Sequence, residues 1–285
     1  MHKVLGINCS CRRYGNSDVL LQEALLSARE SGTEVEYLRL SDYNIKQCRG
    51  CLSCVFTGRC VIKDDDMPFL WDKMKTSDGL LVSAPTYVFS PAGIVKMVID
   101  RAFICAKDLD DVFGRNRVAA IISVAGNSEW NPLGVENLNV LPLAYGYRIV
   151  DYLEAYATGP GEVLLDEKNI NGAKRLGVTV AAELQGKSNR KNPEPGQCPV
   201  CYSKSFHFSG SGEVMCCTCG INGRVSLSEG KWTLTTTPDD IQNHFFSYKH
   251  RREHLDNWII PSKDKFLANR EAIKERLRKY KEVVW

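Results

Sequence analysis

Twelve cysteines stand in a chain of 285 residues, and nine of them fall into two tight groups. The first is Cys48, Cys51, Cys54 and Cys60, spaced C-x2-C-x2-C-x5-C; the second is Cys198, Cys201, Cys216, Cys217 and Cys219. Thiolates are soft ligands, and this spacing lets four of them reach one metal centre without long loops, as an iron–sulfur cluster requires. The first group has no paired histidines of the kind a mixed Cys/His zinc site uses, although zinc at the same thiolates stays open. In the second, Cys198-Pro199-Val200-Cys201 and Cys216-Cys217-Thr218-Cys219-Gly220 form two C-x2-C knuckles. They suit tetrahedral ligation by Cys198, Cys201, Cys216 and Cys219, which is normally a structural zinc site. Cys217 complicates that choice, and iron in place of zinc would make the site an electron relay. Cys9, Cys11 and Cys105 read as small packing residues.

A second kind of chemistry is written in Ser10-Cys11-Arg12-Arg13-Tyr14-Gly15-Asn16-Ser17. Small and polar residues between a strand and a helix suit an anion. Hydroxyls and backbone N–H groups point at it, the helix dipole favours it, and Arg12 adds a charge-assisted bond. Neither G-x-x-x-x-G-K-[ST] nor G-x-G-x-x-G is present. Equally open is a plain turn in which Gly15-Asn16-Ser17 only caps the helix. Further on, the run through Pro85, Thr86, Tyr87 and Val88 offers a rigid loop with backbone amides and an aromatic, which can hold a flat ring. No Ser-His-Asp or Cys-His arrangement is evident, and none is needed if bound cofactors carry the reaction.

These residues need elements to position them. The first 186 residues alternate apolar runs with helical patterns. Strands are expected over Val4–Asn8, Val35–Leu40, Gly79–Ala84, Val118–Val124 and Arg148–Ala155. Helices are expected over Ser17–Ser31, Ala92–Ala106, Pro132–Ala144 and Lys168–Gly186. Such alternation implies right-handed crossovers and an α/β fold, a flavodoxin-like, doubly wound, five-stranded parallel sheet. Its ligand side is the carboxyl ends of the strands, where these loops and Ala125-Gly126-Asn127 lie. Asn192-Pro193-Glu194-Pro195-Gly196 reads as a linker. The organisation expected is therefore residues 1–187, a linker at 188–196, a small β-rich cysteine unit at 197–236 and a helical extension at 237–285. In that extension Phe266, Ile273, Leu277, Tyr280 and Val284 recur at helical spacing, forming one apolar face. Trp232, Phe245, Phe246 and Trp258 read as packing for the small unit, and His207, His244, His250 and His254 as ordinary surface or core residues.

Composition narrows the function. With 44% hydrophobic and 25% charged residues, the chain suits a buried core rather than disorder. The first apolar run begins almost at Met1, and no stretch approaches the ~18 apolar residues of a membrane span. The chain thus reads as soluble and cytoplasmic, without a membrane partner. Thiols are kept reduced there, so ligation rather than disulfide bonding explains the cysteines. The net charge of +3 is uneven, with 11 Lys/Arg against 6 Asp/Glu from Lys249 onward. That stretch reads as a solvated helix face; it lacks the dense, aromatic-interleaved basic patch of a nucleic-acid binder.

Ser10-x-Arg12-x-x-Gly15-Asn16-Ser17 resembles the FMN phosphate loop of the NADPH-dependent FMN reductase and flavodoxin-like superfamily. Ser83-Ala84-Pro85-Thr86-Tyr87-Val88-Phe89, leading to Gly93, Lys96 and Ile99-Asp100-Arg101, looks like that superfamily's Pro-x-Tyr loop beside the isoalloxazine ring. Ala125-Gly126-Asn127 falls where its third flavin loop lies, with the usual glycines thinned to one. The first cysteine group, with Gly50, Gly58 and Val61–Met67 around it, resembles the iron–sulfur flavoproteins, a branch carrying a [4Fe-4S] cluster beside FMN. The second resembles a zinc ribbon, with rubredoxin-type or desulforedoxin-type iron as the alternative occupant. The flavoprotein resemblance covers about residues 1–186. It implies an oxidoreductase passing electrons between a low-potential donor, ferredoxin or NAD(P)H, and an acceptor the sequence does not name. It also implies a homodimer or homotetramer, with each cluster near a neighbour's flavin, in the cytoplasm of an anaerobe. Two other readings stand beside it: an NAD(P)H-dependent flavin or quinone reductase without a cluster, and a redox-sensing binding module that uses the ribbon and the basic tail.

Overall fold

Each continuous apolar run becomes a strand covered on both faces in the structure, a computed structural model that describes residues 1–228 and 230–283. The chain runs β1 (Lys3–Asn8), α1 (Asn16–Glu30), β2 (Glu34–Arg39), α2 (Ser53–Thr57), α3 (Met67–Lys75), β3 (Gly79–Tyr87) and a two-residue β4 (Ser90–Pro91). It continues through α4 (Gly93–Asp100), α5 (Leu109–Phe113), β5 (Val118–Ala125), α6 (Gly134–Ala144), β6 (Arg148–Tyr156) and α7 (Glu167–Leu184). The sheet has the order β2-β1-β3-β5-β6, all parallel, with β4 folded antiparallel onto β3. This is the flavodoxin-like arrangement.

One face of the sheet carries α1 and α7, through Leu20, Leu21, Ala24, Leu25, Ala173, Leu176 and Val180. The two helices pass closely at Gly177, where a Cβ would sit 2.0 Å from the Ala24 carbonyl oxygen. The other face carries α3, α4 and α6, through Leu70, Met74, Val95, Val98, Leu138 and Leu141. The helix expected over Ala92–Ala106 is broken at Arg101 into α4 and a 3-10 turn, Ala102–Cys105. At that break the Arg101 guanidinium turns inward onto the buried carboxylate of Asp65.

The cysteine-bearing unit comprises β7 (Phe206–Phe208), β8 (Glu213–Cys216), β9 (Asn222–Ser228) and β10 (Lys231–Thr235), an antiparallel sheet in the order β10-β9-β8-β7. It is bonded to α6: Asn139 Nδ2 donates to the Cys201 carbonyl (2.7 Å), and the Lys204 amide donates to Glu136 Oε1 (3.1 Å). Tyr202 reaches back to the carbonyls of Lys191 (2.6 Å) and Val150 (2.9 Å), so the preceding segment is laid along β6. Cys198, Cys201, Cys216, Cys219, Tyr202 and Ile221 thereby join the main hydrophobic core.

The chain closes with α8 (Pro238–Gln242), α9 (Tyr248–His254), a π-helical turn (Leu255–Ile259) and α10 (Ile260–Lys281). Arg251 anchors α9 by donating to the Ala144 carbonyl (2.9 Å), and Tyr248 donates to Asp110 Oδ1 (2.6 Å). Two expectations about packing are corrected. Trp232, on the ribbon's outermost strand, and Trp258, in the π-helical turn, are exposed, with nothing among the described residues covering them. Cys11 is exposed too, since the loop after β1 turns outward before α1. Val284, expected on the tail's apolar face, lies outside the described residues. No helix among the described residues is long and apolar enough to cross a membrane.

Candidate functional site

The carboxyl ends of β1, β3, β5 and β6 meet at one cleft of about 270 Å³. Its wall on one side is the turn into α1: Ser10, Arg12, Gly15, Asn16 and Ser17 all line it. The loop is held from within, since the Ser10 amide donates to Asn8 Oδ1 (2.9 Å) and the Arg12 amide to Ser10 Oγ (3.1 Å). Gly15 is the N-cap of α1 and no side chain caps the helix. The first amides of α1 are therefore free of an internal acceptor and face an anion-sized space. Asn16 does not cap; its Nδ2 donates to the Ala157 carbonyl (3.2 Å), tying the loop to the end of β6.

The opposite wall is the end of β3. Pro85, Thr86 and Tyr87 line the cleft, as do Ala125 and Gly126 after β5. Val88 does not; it is 78% exposed, at the tip of the β3–β4 hairpin. Tyr87 pairs with Ser90, so Val88 and Phe89 form a two-residue turn with φ of 47° and 71°. A type I′ turn needs positive φ at both positions and normally uses Asn or Gly. Here it carries a β-branched and an aromatic residue, an uncommon and strained choice. The turn presents Phe89, which stacks on Trp130 with ring centroids 5.0 Å apart.

Sequence reasoning missed a polar network behind Thr86. Thr86 Oγ1 (2.7 Å) and Ser123 Oγ (3.1 Å) both donate to Asn131 Oδ1, and Asn131 Nδ2 donates to Glu154 Oε1 (3.2 Å). It also missed the fourth loop, from which Ala157, Thr158 and Pro160 line the cleft. Thr158-Gly159-Pro160-Gly161, directly after the last strand, was the available signal.

The first cysteine group lies on the segment between β2 and α3, with Cys54 in the short helix α2 and the other three in the loops around it. Cys48, Cys54 and Cys60 are half-buried, and Cys51 is exposed on the same loop. Burial and then the sulfurs of Cys60 and Cys48 push the Cys54 thiol up, but the structure does not draw this group's ligand atoms within 4.8 Å of one another as it does those of the second group. Left-handed backbone at Gly50, Leu52 and Gly58 coils the loop. Beside it Arg101, 4% exposed, donates to Asp65 Oδ2 (2.5 Å), Asp65 Oδ1 (3.1 Å), the Lys46 carbonyl (2.7 Å) and Cys60 Sγ (3.2 Å). Burial alone would raise the Asp65 carboxyl, but Arg101 and the Lys46 amide hold it below the usual range. A loop of four soft donors with a buried cation at one sulfur fits a metal group that carries negative charge. Arg101 closes α4, a helix about 12 Å long that begins at Gly93 just after the β3–β4 hairpin.

The second group is tighter. Among the described residues, Cys198, Cys201, Cys216 and Cys219 alone bring their ligand atoms within 4.8 Å of one another, and all four are buried. The Sγ pairs Cys198–Cys219 and Cys201–Cys216 are 3.4 and 3.6 Å apart. A tetrahedral metal with sulfur ligands at about 2.3 Å calls for sulfurs about 3.8 Å apart. Hydrogen bonds from the other three thiols pull Cys216 well below the ordinary thiol range. Burial and the neighbouring sulfurs push Cys201 up. Four buried thiols that cannot all ionise without a cation form a closed metal site. Cys217 is exposed and stands outside it.

The pattern of the NADPH-dependent FMN reductase family matches residues 2–131. An iron–sulfur flavoprotein of Methanocaldococcus jannaschii is 31% identical over 189 residues, which is 63% of this chain and 95% of that one. A flavone synthase of Aspergillus candidus is 27% identical over 218 residues, 68% of this chain and 67% of that one. The solved structure of a flavone reductase matches the fold with a TM-score of 0.75 at 23% identity, covering 99% of this chain and 98% of that one.

Proposed function

This chain belongs to the iron–sulfur flavoprotein family, and from that premise we propose that it is a cytoplasmic FMN- and [4Fe-4S]-containing oxidoreductase that passes electrons from a low-potential donor, ferredoxin or NAD(P)H, to an acceptor. The observation that carries this reading is the single cleft in which Ser10, Arg12, Asn16 and Ser17 face Pro85, Thr86, Tyr87 and Gly126. Arg12 and the first amides of α1 would hold the FMN phosphate, and Pro85–Tyr87 would lie along the ring. Cys48, Cys51, Cys54 and Cys60 would hold the cluster, and Cys198, Cys201, Cys216 and Cys219 a zinc ion. Bound FMN would take up two electrons or a hydride and release electrons singly, and a cluster would pass them one at a time. The chain's own part would be to hold both groups, with Thr86 in the cleft wall fixed by its bond to Asn131. We further assign the working form as a homodimer or homotetramer.

A second reading concerns the acceptor. Tyr87, Phe89 and Trp130 form an exposed aromatic rim next to the cleft, with Phe89 on a turn held at positive φ. Such a rim favours a flat aromatic acceptor that stacks over the ring. A flavone, in the names of two of the similar proteins, has that shape.

Anaerobic purification with a visible spectrum and with iron, sulfide, zinc and flavin quantified tests the first reading. About four irons and four sulfides with one zinc per chain are expected. A flavin-only spectrum without acid-labile sulfide refutes the cluster. Cys48→Ser with Cys54→Ser should remove the broad cluster absorbance and keep FMN. For the acceptor, Trp130→Ala should raise KM for a flavone or naphthoquinone and leave ferricyanide reduction unchanged; equal effects on both sink that reading.

A further inference from the structure

A compact 32.0 kDa chain exposes about 12,000 Å², whereas this one exposes 15,309 Å². The excess, roughly 3,000 Å², exceeds the ~800 Å² per partner of a standard stable interface. One element is exposed along its whole length. No residue of α10 is buried among the described residues, although its 22 residues span about 33 Å. The helix leaves the body beside the first cysteine loop, where Lys263 Nζ lies 5.1 Å from the Phe56 ring.

One side of it carries four apolar residues, with Asn269 and Arg270 interrupting the stripe after Phe266. Phe266, Ile273, Leu277 and Tyr280 recur at spacings of 7, 4 and 3, and all four are exposed. A helix of this length with a bare apolar stripe gains little by standing in water, because helical stability comes mostly from packing such a face. Charge selects what covers it. Residues 263–282 carry 8 Lys/Arg against 4 Asp/Glu, so two such helices side by side repel. Residues 1–186 carry 20 Lys/Arg against 23 Asp/Glu, and FMN, if held as proposed above, would make that body more acidic still.

We propose that α10 is an intersubunit arm whose Phe266–Tyr280 stripe packs on the flavodoxin-like body of a second copy of this chain. The arm deepens the homo-oligomer reading above and rests on it. An isologous pair results, each copy lending its arm to the other, with the arms leaving their own bodies beside the cysteine loops.

The test uses the full chain loaded with its cofactors. Light scattering after gel filtration should give a dimer or larger, and Phe266→Asp/Ile273→Asp/Leu277→Asp should lower the mass while flavin absorbance and circular dichroism stay unchanged. Amides of residues 266–280 should be protected from hydrogen exchange in the wild-type protein, a readout that holds even if the triple variant aggregates. Zero-length cross-linking of mixed light and heavy chains should join arm lysines of one copy to acidic residues within 1–186 of the other. A wild-type monomer overturns both the oligomer and the arm. An oligomer whose mass survives the triple substitution, whose arm amides exchange at once, or whose cross-links are arm to arm only, overturns the arm and leaves the oligomer standing.

Discussion

Val88 and Phe89 hold backbone angles that cost free energy, and what they gain is position: the turn sets Phe89 on Trp130 at the mouth of the cleft. Relieving the angle without removing Phe89 separates the two effects. Val88→Asn is expected to raise the unfolding free energy by about 1 kcal/mol in a urea titration, because Asn tolerates the left-handed region; a lower value would show that the Val88 side chain contributes packing its exposure conceals. Arg101 is a second residue whose environment decides its role. Its guanidinium and the Asp65 carboxylate are both buried, with side chains 2% and 0% exposed. Arg101→Met should cost about 3–5 kcal/mol, because it strands a buried carboxylate. Arg101→Met with Asp65→Leu should recover most of that loss by the same measurement; failure to recover would assign Arg101 to the cysteine loop rather than to Asp65.

Among elements, the end of α7 is joined to the segment leading into the ribbon by one carboxylate. Glu183 accepts from the Asn189 amide (2.6 Å) and from Arg148 (2.9 Å), at the point where the chain turns along β6. Burial alone would raise its pKa, but these donors hold it below the usual carboxylate range. The charged form is therefore favoured in the folded state. That contribution is fully present above the unfolded value of about 4.3 and is lost as pH falls through the lowered folded value. Glu183→Gln should be less stable than the wild type at neutral pH, with the two curves converging at acid pH. Chemical denaturation across that range measures it, and parallel curves would rule Glu183 out as a source of acid sensitivity. The break after α4 has the same logic at element scale: a helix stops where Arg101 has a buried partner to reach.

For the whole molecule, the ribbon is built into the core of the sheet rather than hung from it. Cys198, Cys201, Cys216 and Cys219 pack in the same cluster as Leu138, Leu141 and Tyr152. Stripping the metal from these thiols should then lower the melting temperature of the entire chain in one cooperative transition, read by calorimetry with and without a chelator. Two separate transitions, with the flavin-bearing part unmoved, would show an independently folded ribbon. The bonds from α6 to Cys201 and Lys204 are the reason to expect one.

Local pattern alone carried the parallel sheet, the helix after β1 and the four clustered thiols of the ribbon. Alternating runs and ligand spacing are properties of neighbouring residues, and Ser10, Arg12, Asn16, Ser17 and Pro85–Tyr87 sat where strand ends had to be. Distance in sequence hid the rest. Asn131, from the loop before α6, joins Thr86 to Glu154 on β6, Thr158 lines the cleft from the loop after that strand, and Arg101 meets Asp65 across 36 positions. Val88 shows the limit even within a motif: its neighbours line the cleft while a hairpin turn, visible only once β4 pairs with β3, points it to solvent. The residue types in the chain determined which chemistry it could hold. The tertiary structure decided which of them share one cleft, because burial and hydrogen bonding between distant segments are settled only when the sheet, the ribbon and α9 close on a common core.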